Sequence, residues 1–280
     1  MNAPQTNAPL AILVDGEDAG AATQWALDRA LHYGDGLFET MLVRDSRVRF
    51  EALHRARLAE GCRRLHIAVD PDLPWQQARH LAGRHPQCTL KLLVSRGSAT
   101  GRGYAPAGNE QPRIVALAYP PPQADEFPAR LRAVTLRSML GENPQLAGLK
   151  HCNRLEQVLG RRELQGQGAF EGLMASSSGL LVSGTMSNVV LELDGEWMTP
   201  ALDRCGVAGV MRAVVLREAA RGGLKIRECD VPLVQLARCT SLLLTNARMG
   251  IRVVHELDGR ELGDAPALQP LLEKVTRLED

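Results

Sequence analysis

A chain of 280 residues is long enough for two domains at roughly 150 residues each, and it can bury a core without disulfides or structural metal. Its 33 Lys and Arg against 32 Asp and Glu leave a formal charge of +1, too little to collect nucleic acid over a whole face. Although 45% of the residues are apolar, no run approaches the ~18 needed to cross a bilayer, and the first ten residues hold no basic segment ahead of an apolar one. Cys62, Cys88, Cys152, Cys205, Cys229 and Cys239 are scattered, with no CxxC pair and no Cys/His ligand spacing. The expectation is a cytoplasmic protein with free thiols, no metal site, no nucleic-acid partner and no membrane association.

In chain order, strand-like runs lie at Leu10 to Val14, Leu37 to Val43 and Thr89 to Val94. Two helices are predicted between the second and third, Glu51 to His66 and Trp75 to Gly83. In the first of these Leu58, Cys62 and Leu65 recur at i, i+4 and i+7 as an apolar stripe. The segment Tyr119 to Pro128 carries four prolines in ten residues, which no helix or strand interior accepts. It divides the chain into a small α/β domain over 1–118, a linker over 119–128 and a larger domain over 129–280. Beyond it, β-rich runs (Ala133 to Leu136, Val189 to Leu193, Leu242 to Thr245, Ile251 to Val254) alternate with helical stretches near Asn153 to Leu164 and Val210 to Arg221. Asp194-Gly195 and Asp258-Gly259 sit where two-residue hairpin turns belong.

Only four cations are lysines: Lys91, Lys150, Lys225 and Lys274. Solvated positions account for Lys91, Lys225 and Lys274. Lys150 lies in Gly148-Leu149-Lys150-His151-Cys152-Asn153-Arg154, a glycine-bearing turn into a helix. By position it is either a surface lysine or an amine in a cleft beside the helix start. A desolvated amine can lose its proton and attack a carbonyl, whereas a guanidinium cannot. Cys205 to Arg212 opens a helix with two glycines and no acidic residue, leaving backbone N–H groups free for an anion. Arg57 could balance that anion, or it could be one more solvated arginine beside Arg55, Arg63 and Arg64. The loop Ser95 to Tyr104 carries two arginines and a tyrosine, as a carboxylate-binding loop or an exposed turn would. Asp35 and Glu39 read as a turn-forming Asp and a paired Glu before an acid/base couple, and His32, His54 and His151 lack metal spacing.

Together these stretches resemble the class IV, or fold type IV, pyridoxal-phosphate enzymes. The resemblance runs through Gly34-Asp35-Gly36-Leu37-Phe38-Glu39-Thr40, His54-Arg55-Ala56-Arg57-Leu58, Ser95-Arg96-Gly97 and Leu149 to Gln157. It continues through Gly184-Thr185-Met186-Ser187-Asn188, Gly206 to Arg212 and Leu244-Thr245-Asn246. The family includes D-amino-acid and branched-chain aminotransferases and 4-amino-4-deoxychorismate lyases. Lys150 to Val158, and Arg96-Gly97-Ser98 with Gly101-Arg102-Gly103-Tyr104, look most like the lyase branch. The resemblance implies a two-domain α/β (α+β) fold of the D-amino-acid aminotransferase type, pyridoxal 5'-phosphate as cofactor, 4-amino-4-deoxychorismate as small-molecule substrate, and a homodimer. It implies that Lys150 condenses with the cofactor aldehyde. Arg57 and the backbone of Val210 and Met211 would hold the phosphate, with Asn246 near that end and Asn188 beside the cofactor. Arg102 and Tyr104 would take substrate carboxylate, and Thr40 would line the pocket.

One position departs from the pattern. Family members usually carry Glu just before the glycine of the stretch seen here as Gly184 to Asn188, pairing it with the cofactor's ring nitrogen; this chain has Ser183. A hydroxyl can hydrogen-bond that nitrogen but brings no negative charge, so the ring should be a weaker electron sink.

Overall fold

The computed structural model describes residues 13–14, 17–18, 20, 23–98, 103–123, 126–128 and 130–278. Of the strand expected at Leu10 to Val14 only the last two residues fall among them, as β1 (Leu13–Val14) paired with β2 (Glu17–Asp18). Helix α1 (Thr23–Ala26) and helix α2 (Arg29–Tyr33) follow. The Asp28 side chain caps α2 by accepting the Ala30 N–H, and Gly34, at φ 65°, ends it in the left-handed region.

An antiparallel sheet of order β4-β3-β5-β6 is built from β3 (Gly36–Arg44), β4 (Arg47–Val48), β5 (Cys88–Ser95) and β6 (Arg113–Tyr119). Helices α3 (Glu51–Leu65) and α4 (Leu73–Arg84) lie against one face. Leu37 and Met41 of β3, with Leu90 and Leu92 of β5, join Leu58, Cys62, Trp75 and Ala78 in one core. The strand period of two therefore turns Phe38 and Thr40, with Lys91 opposite Thr40, to the other face. That face forms one wall of the site described below.

The second sheet holds β7 (Leu131–Thr135), β8 (Glu171–Ala175), β9 (Leu181–Gly184), β10 (Asn188–Leu193), β11 (Glu196–Pro200), β12 (Ile226–Cys229), β13 (Cys239–Asn246), β14 (Gly250–Leu257) and β15 (Arg260–Glu261). Its order is β12-β11-β10-β13-β14-β7-β8-β9, with β15 on β14. Leu181 of β9 at one end shares a core with Val189 and Leu191 of β10 near the other, along with Leu131, Leu173, Leu242, Leu244 and Val254. The sheet is therefore curled around its own interior. Helix α6 (Val210–Arg221) and helix α7 (Gln269–Arg277) cover the outer side through Val214, Val215, Leu271 and Val275, which pack with Val190 and Leu243. Helix α5 (Leu155–Leu164) packs by Leu164 with Leu136, Leu140, Met174 and Val182.

Both Asp-Gly pairs have positive φ at each residue, 51° and 82° at Asp194-Gly195 and 51° and 79° at Asp258-Gly259, as tight hairpin turns require. Tyr119, expected as the first linker residue, is instead the last residue of β6, and the prolines begin only after it. Strands β8 and β9 gave no alternating signal because every residue in both is buried.

Candidate active site

The segment carrying Lys150 completes the first sheet. Where β4 has ended, residues 150–152 run beside the start of β3: Phe38 N–H donates to the Lys150 carbonyl and Cys152 N–H to that of Gly36, both at 2.9 Å. Arg154 pins the turn by donating from Nε to the His151 carbonyl (2.8 Å) and from Nη2 to that of Leu149 (3.2 Å). The half-buried Lys150 amine thus stands over the Phe38 ring, 4.4 Å from its centroid. Burial first, then the Arg57 cation, pushes this amine down to about 7 against the opposing pull of Glu39. A substantial neutral fraction near neutral pH follows, as nucleophilic attack on an aldehyde requires.

Arg57 projects from α3 into a buried charge cluster. Its Nε donates to Glu39 Oε1 at 2.8 Å and its Nη2 to Glu39 Oε2, while His54 Nδ1 donates to Glu39 Oε2 at 2.6 Å. Burial alone would raise the Glu39 carboxyl, but Arg57 and the His54 hydrogen bond outweigh it and hold it at about 2. Burial pushes His54 down, so the imidazole is neutral with its proton on Nδ1, and Nε2 is a buried acceptor with no partner. Glu39 is thus the paired carboxylate the sequence favoured, and Arg57 is not a solvated arginine.

The Nη1 of Arg57 donates to the Ala208 carbonyl at 2.9 Å, which brings the guanidinium to the start of α6. Arg57 has five N–H donors, and three are engaged by these bonds. Gly209 is the N-cap of α6 with no side-chain cap, so the first-turn N–H groups of Val210 and Met211 are open. The loop before them is fixed on two sides. Gly148 N–H donates to Gly206 O and Ala208 N–H to Gly148 O (both 3.0 Å), and Asn188 Nδ2 donates to Val207 O at 2.9 Å. A Cβ on Gly209 would lie 1.9 Å from Asn188 Oδ1, so only glycine allows this approach.

Asn188 opens β10 opposite Thr245, and the neighbouring Asn246 donates from Nδ2 to the Met186 carbonyl at 3.2 Å while its Oδ1 accepts the N–H groups of Arg248 and Met249. The turn between Ser183 and Asn188 is held by the buried Glu171 carboxylate, which accepts from Thr185 Oγ1 (2.5 Å), Ser187 Oγ (2.8 Å) and the N–H groups of Gly172, Thr185 and Met186. Ser183 itself is buried and donates its hydroxyl to the Gly184 carbonyl at 2.9 Å.

Lys150, Arg57, Val210, Met211 and Asn188 therefore converge, with Asn246 and Ser183 on adjoining strands and Thr40 on the face that carries Phe38. Tyr104 does not join them within this chain. It is 83% exposed and packs its ring on Tyr33 at 5.3 Å, and its carbonyl accepts from Arg29. Arg102 lies outside the described residues. Arg96, of the same loop, binds an internal carboxylate, donating to Asp35 and to the carbonyls of Leu65 and His66.

Sequence reasoning missed Phe38, Arg154 and the Glu39–His54 pair as neighbours of the lysine. It also misjudged Lys91. That side chain is half-buried, with its Nζ 5.4 Å from the centroid of Phe38, and is not a solvated surface lysine. The only signal was its place inside an apolar strand run. Lys274, read as solvated, is exposed as expected, and it also ion-pairs with the buried Glu218 carboxylate at 2.8 Å.

The profile of the class IV amino-transferase family matches residues 36–257. The chain is 30% identical over 246 residues to the aminodeoxychorismate lyase of Vibrio harveyi, covering 84% of this chain and 87% of the relative. A crystal structure of 4-amino-4-deoxychorismate lyase from Pseudomonas aeruginosa superposes with a TM-score of 0.81 at 39% identity, covering 96% of this chain and 94% of that one. The PLP-bound form of a hypothetical aminotransferase from Mycobacterium tuberculosis gives 0.75 at 26% identity, covering 90% and 91%. The protein belongs to the class IV aminotransferase family and has its fold type IV architecture.

Its cofactor is pyridoxal 5'-phosphate, and the site fits that group. A deprotonable amine stands ready for the aldehyde. The uncapped helix start, beside a guanidinium with donors to spare, offers a cradle for a dianion.

Proposed function

We propose that this protein is an aminodeoxychorismate lyase, converting 4-amino-4-deoxychorismate to 4-aminobenzoate and pyruvate as a step toward folate. Similarity to lyases at 30% and 39% identity supports the reading. The observation that carries elimination over transamination is position 183. There the structure has a buried hydroxyl, already donated to Gly184 O, at the position where the family resemblance implies a carboxylate for the ring nitrogen. Transamination would need the cofactor to hold a delocalised negative charge until its former aldehyde carbon is reprotonated. Elimination drains that charge into a departing enolpyruvyl oxygen and gains an aromatic ring, so a weaker sink suffices.

When bound, pyridoxal phosphate supplies the aldehyde and an electron-withdrawing ring. The chain does the rest. Arg57 and the α6 N–H groups hold the phosphate, and Asn188 keeps their loop in place. The neutral Lys150 amine would take the proton from the ring carbon that bears the substrate amine. The C–O bond to the enolpyruvyl group breaks, the carbocycle becomes aromatic, and protonation of the enol carbon gives pyruvate. Phe38 and Thr40 wall the amine on one side.

Arg102 and Tyr104 remain the proposed carboxylate ligands. Since Tyr104 faces outward on its own chain, a homodimer offers the route by which it meets substrate, in the cleft of a second copy. An exposed apolar stripe on α5, Leu155, Val158 and Leu159, supports such a contact. Two domains joined at the proline segment, and a cytoplasmic location, complete the proposal; among the described residues no helix is long and apolar enough to cross a membrane.

The deciding experiment incubates the cofactor-loaded protein with aminodeoxychorismate and no keto acid. Release of pyruvate and 4-aminobenzoate in equal amounts is expected. Turnover only when a keto acid is added would establish an aminotransferase instead. Ser183→Glu should raise transaminase side activity, and an unchanged or lower value would remove the argument from position 183.

A further inference from the structure

One arginine outside the cofactor site joins three parts of the molecule. Arg248 follows Asn246 in the turn between β13 and β14, and its N–H is fixed by Asn246 Oδ1 at 2.9 Å. From there its side chain reaches the first sheet, donating from Nε to Thr89 Oγ1 on β5 at 3.2 Å. Both terminal nitrogens also grip Glu126 in the proline segment, Nη1 to Oε1 and Nη2 to Oε2, the latter at 2.8 Å. The next residue, Phe127, lies beneath the guanidiniums of Arg248 (6.0 Å) and Arg252 (5.3 Å) and meets Phe170 edge-on at 6.0 Å. The linker is thereby anchored to the second sheet at the point where that sheet touches the first.

Both ends of this bridge lead to the site. Thr89 shares its sheet face with Lys91, Thr40 and Phe38, the wall under the Lys150 amine. Asn246 is tied through Met186 O to the turn that opens β10 at Asn188. A planar guanidinium suits such a junction, because its fork holds a carboxylate with two nitrogens while the third faces elsewhere.

We propose that Arg248 is a positioning residue for the active site: by bonding Thr89 and Glu126 at once it sets the separation between the Phe38 wall and the Asn188–Asn246 side of the cofactor cleft. The inference does not depend on the reaction catalysed, only on cofactor binding by two walls. Apo-protein is titrated with pyridoxal phosphate and followed by the cofactor's visible absorption, well below the unfolding temperature.

Arg248→Ala is expected to weaken cofactor binding on the order of tenfold. The double variant with Thr89→Val should be no weaker than Arg248→Ala alone, because both remove the same bond. Arg248→Lys keeps a charge for Glu126 but loses the fork, and should fall between. With aminodeoxychorismate as substrate, KM should rise while kcat stays within about threefold. Affinity within twofold of the parent, additive losses in the double variant, or a fall in thermal stability with affinity unchanged would each overturn the proposal. A parent protein that fails to turn over aminodeoxychorismate would sink the lyase reading and leave the cofactor titration as the judge of Arg248.

Discussion

The wall contributed by β3 and α3 holds its side chains with charge, whereas the wall contributed by β9, β10 and the start of α6 works with backbone N–H groups, amides and hydroxyls. On the first, Glu39 is ionised in a buried setting because Arg57 and His54 both donate to it. On the second, the carboxylate that organises the turn, Glu171, spends its oxygens on that turn, and Ser183 brings no charge. The difference teaches where each wall is vulnerable. A charge network fails energetically when one partner is lost, while a wall of dipoles fails geometrically when its backbone shifts.

The largest effect is expected where the walls meet. Lys150→Ala should lower turnover by on the order of a thousandfold or more, and borohydride reduction followed by peptide mass mapping should find no cofactor attached to the chain. Labelling of another lysine would break the assignment of both walls.

Next comes the charged wall. Glu39→Gln removes the buried carboxylate that the partly buried Arg57 cation pairs with and should cost about 3 kcal/mol in denaturant unfolding. Because the Glu39 carboxyl sits at about 2 in the fold and near 4.5 outside it, its contribution is complete above pH 4.5 and lost as pH falls from there through 2. The variant should therefore show a shallower acid loss of stability than the parent.

On the neutral wall, Gly209→Ala forces a methyl into Asn188 and should weaken cofactor binding by about tenfold through the displaced N–H groups, with the charged wall intact. Equal damage to Lys150 chemistry and phosphate binding would mean the walls are not separable. The smallest effect concerns protonation. The rate of cofactor capture should climb as pH rises toward about 7 and level off above it, as the Lys150 amine becomes neutral. A rise continuing toward pH 10 would place the amine in water.

Much of this was legible beforehand because it is local. The apolar stripe Leu58, Cys62 and Leu65 announced α3, both Asp-Gly turns formed where expected, and the glycines around Val207 marked a helix start with open N–H groups. Strands β8 and β9 were not legible, since burial on every side erases alternation. Neither was the environment of Lys91, because the aromatic ring beside it belongs to another strand.

The sequence by itself supplied the candidate groups: one lysine in a glycine turn, a helix start without acidic residues, an arginine able to balance an anion, and a serine just before Gly184. Chemistry of that kind is a property of residue types and short spacings. Tertiary structure alone decided their state. The Lys150 amine is pushed down to about 7 because folding buries it and brings the Arg57 cation near, against the pull of Glu39, and the loop whose carbonyl Arg57 meets at α6 is held by the bonds between Gly148 and residues 206 and 208. Electric fields and desolvation depend on distances through space, which spacing along the chain does not encode.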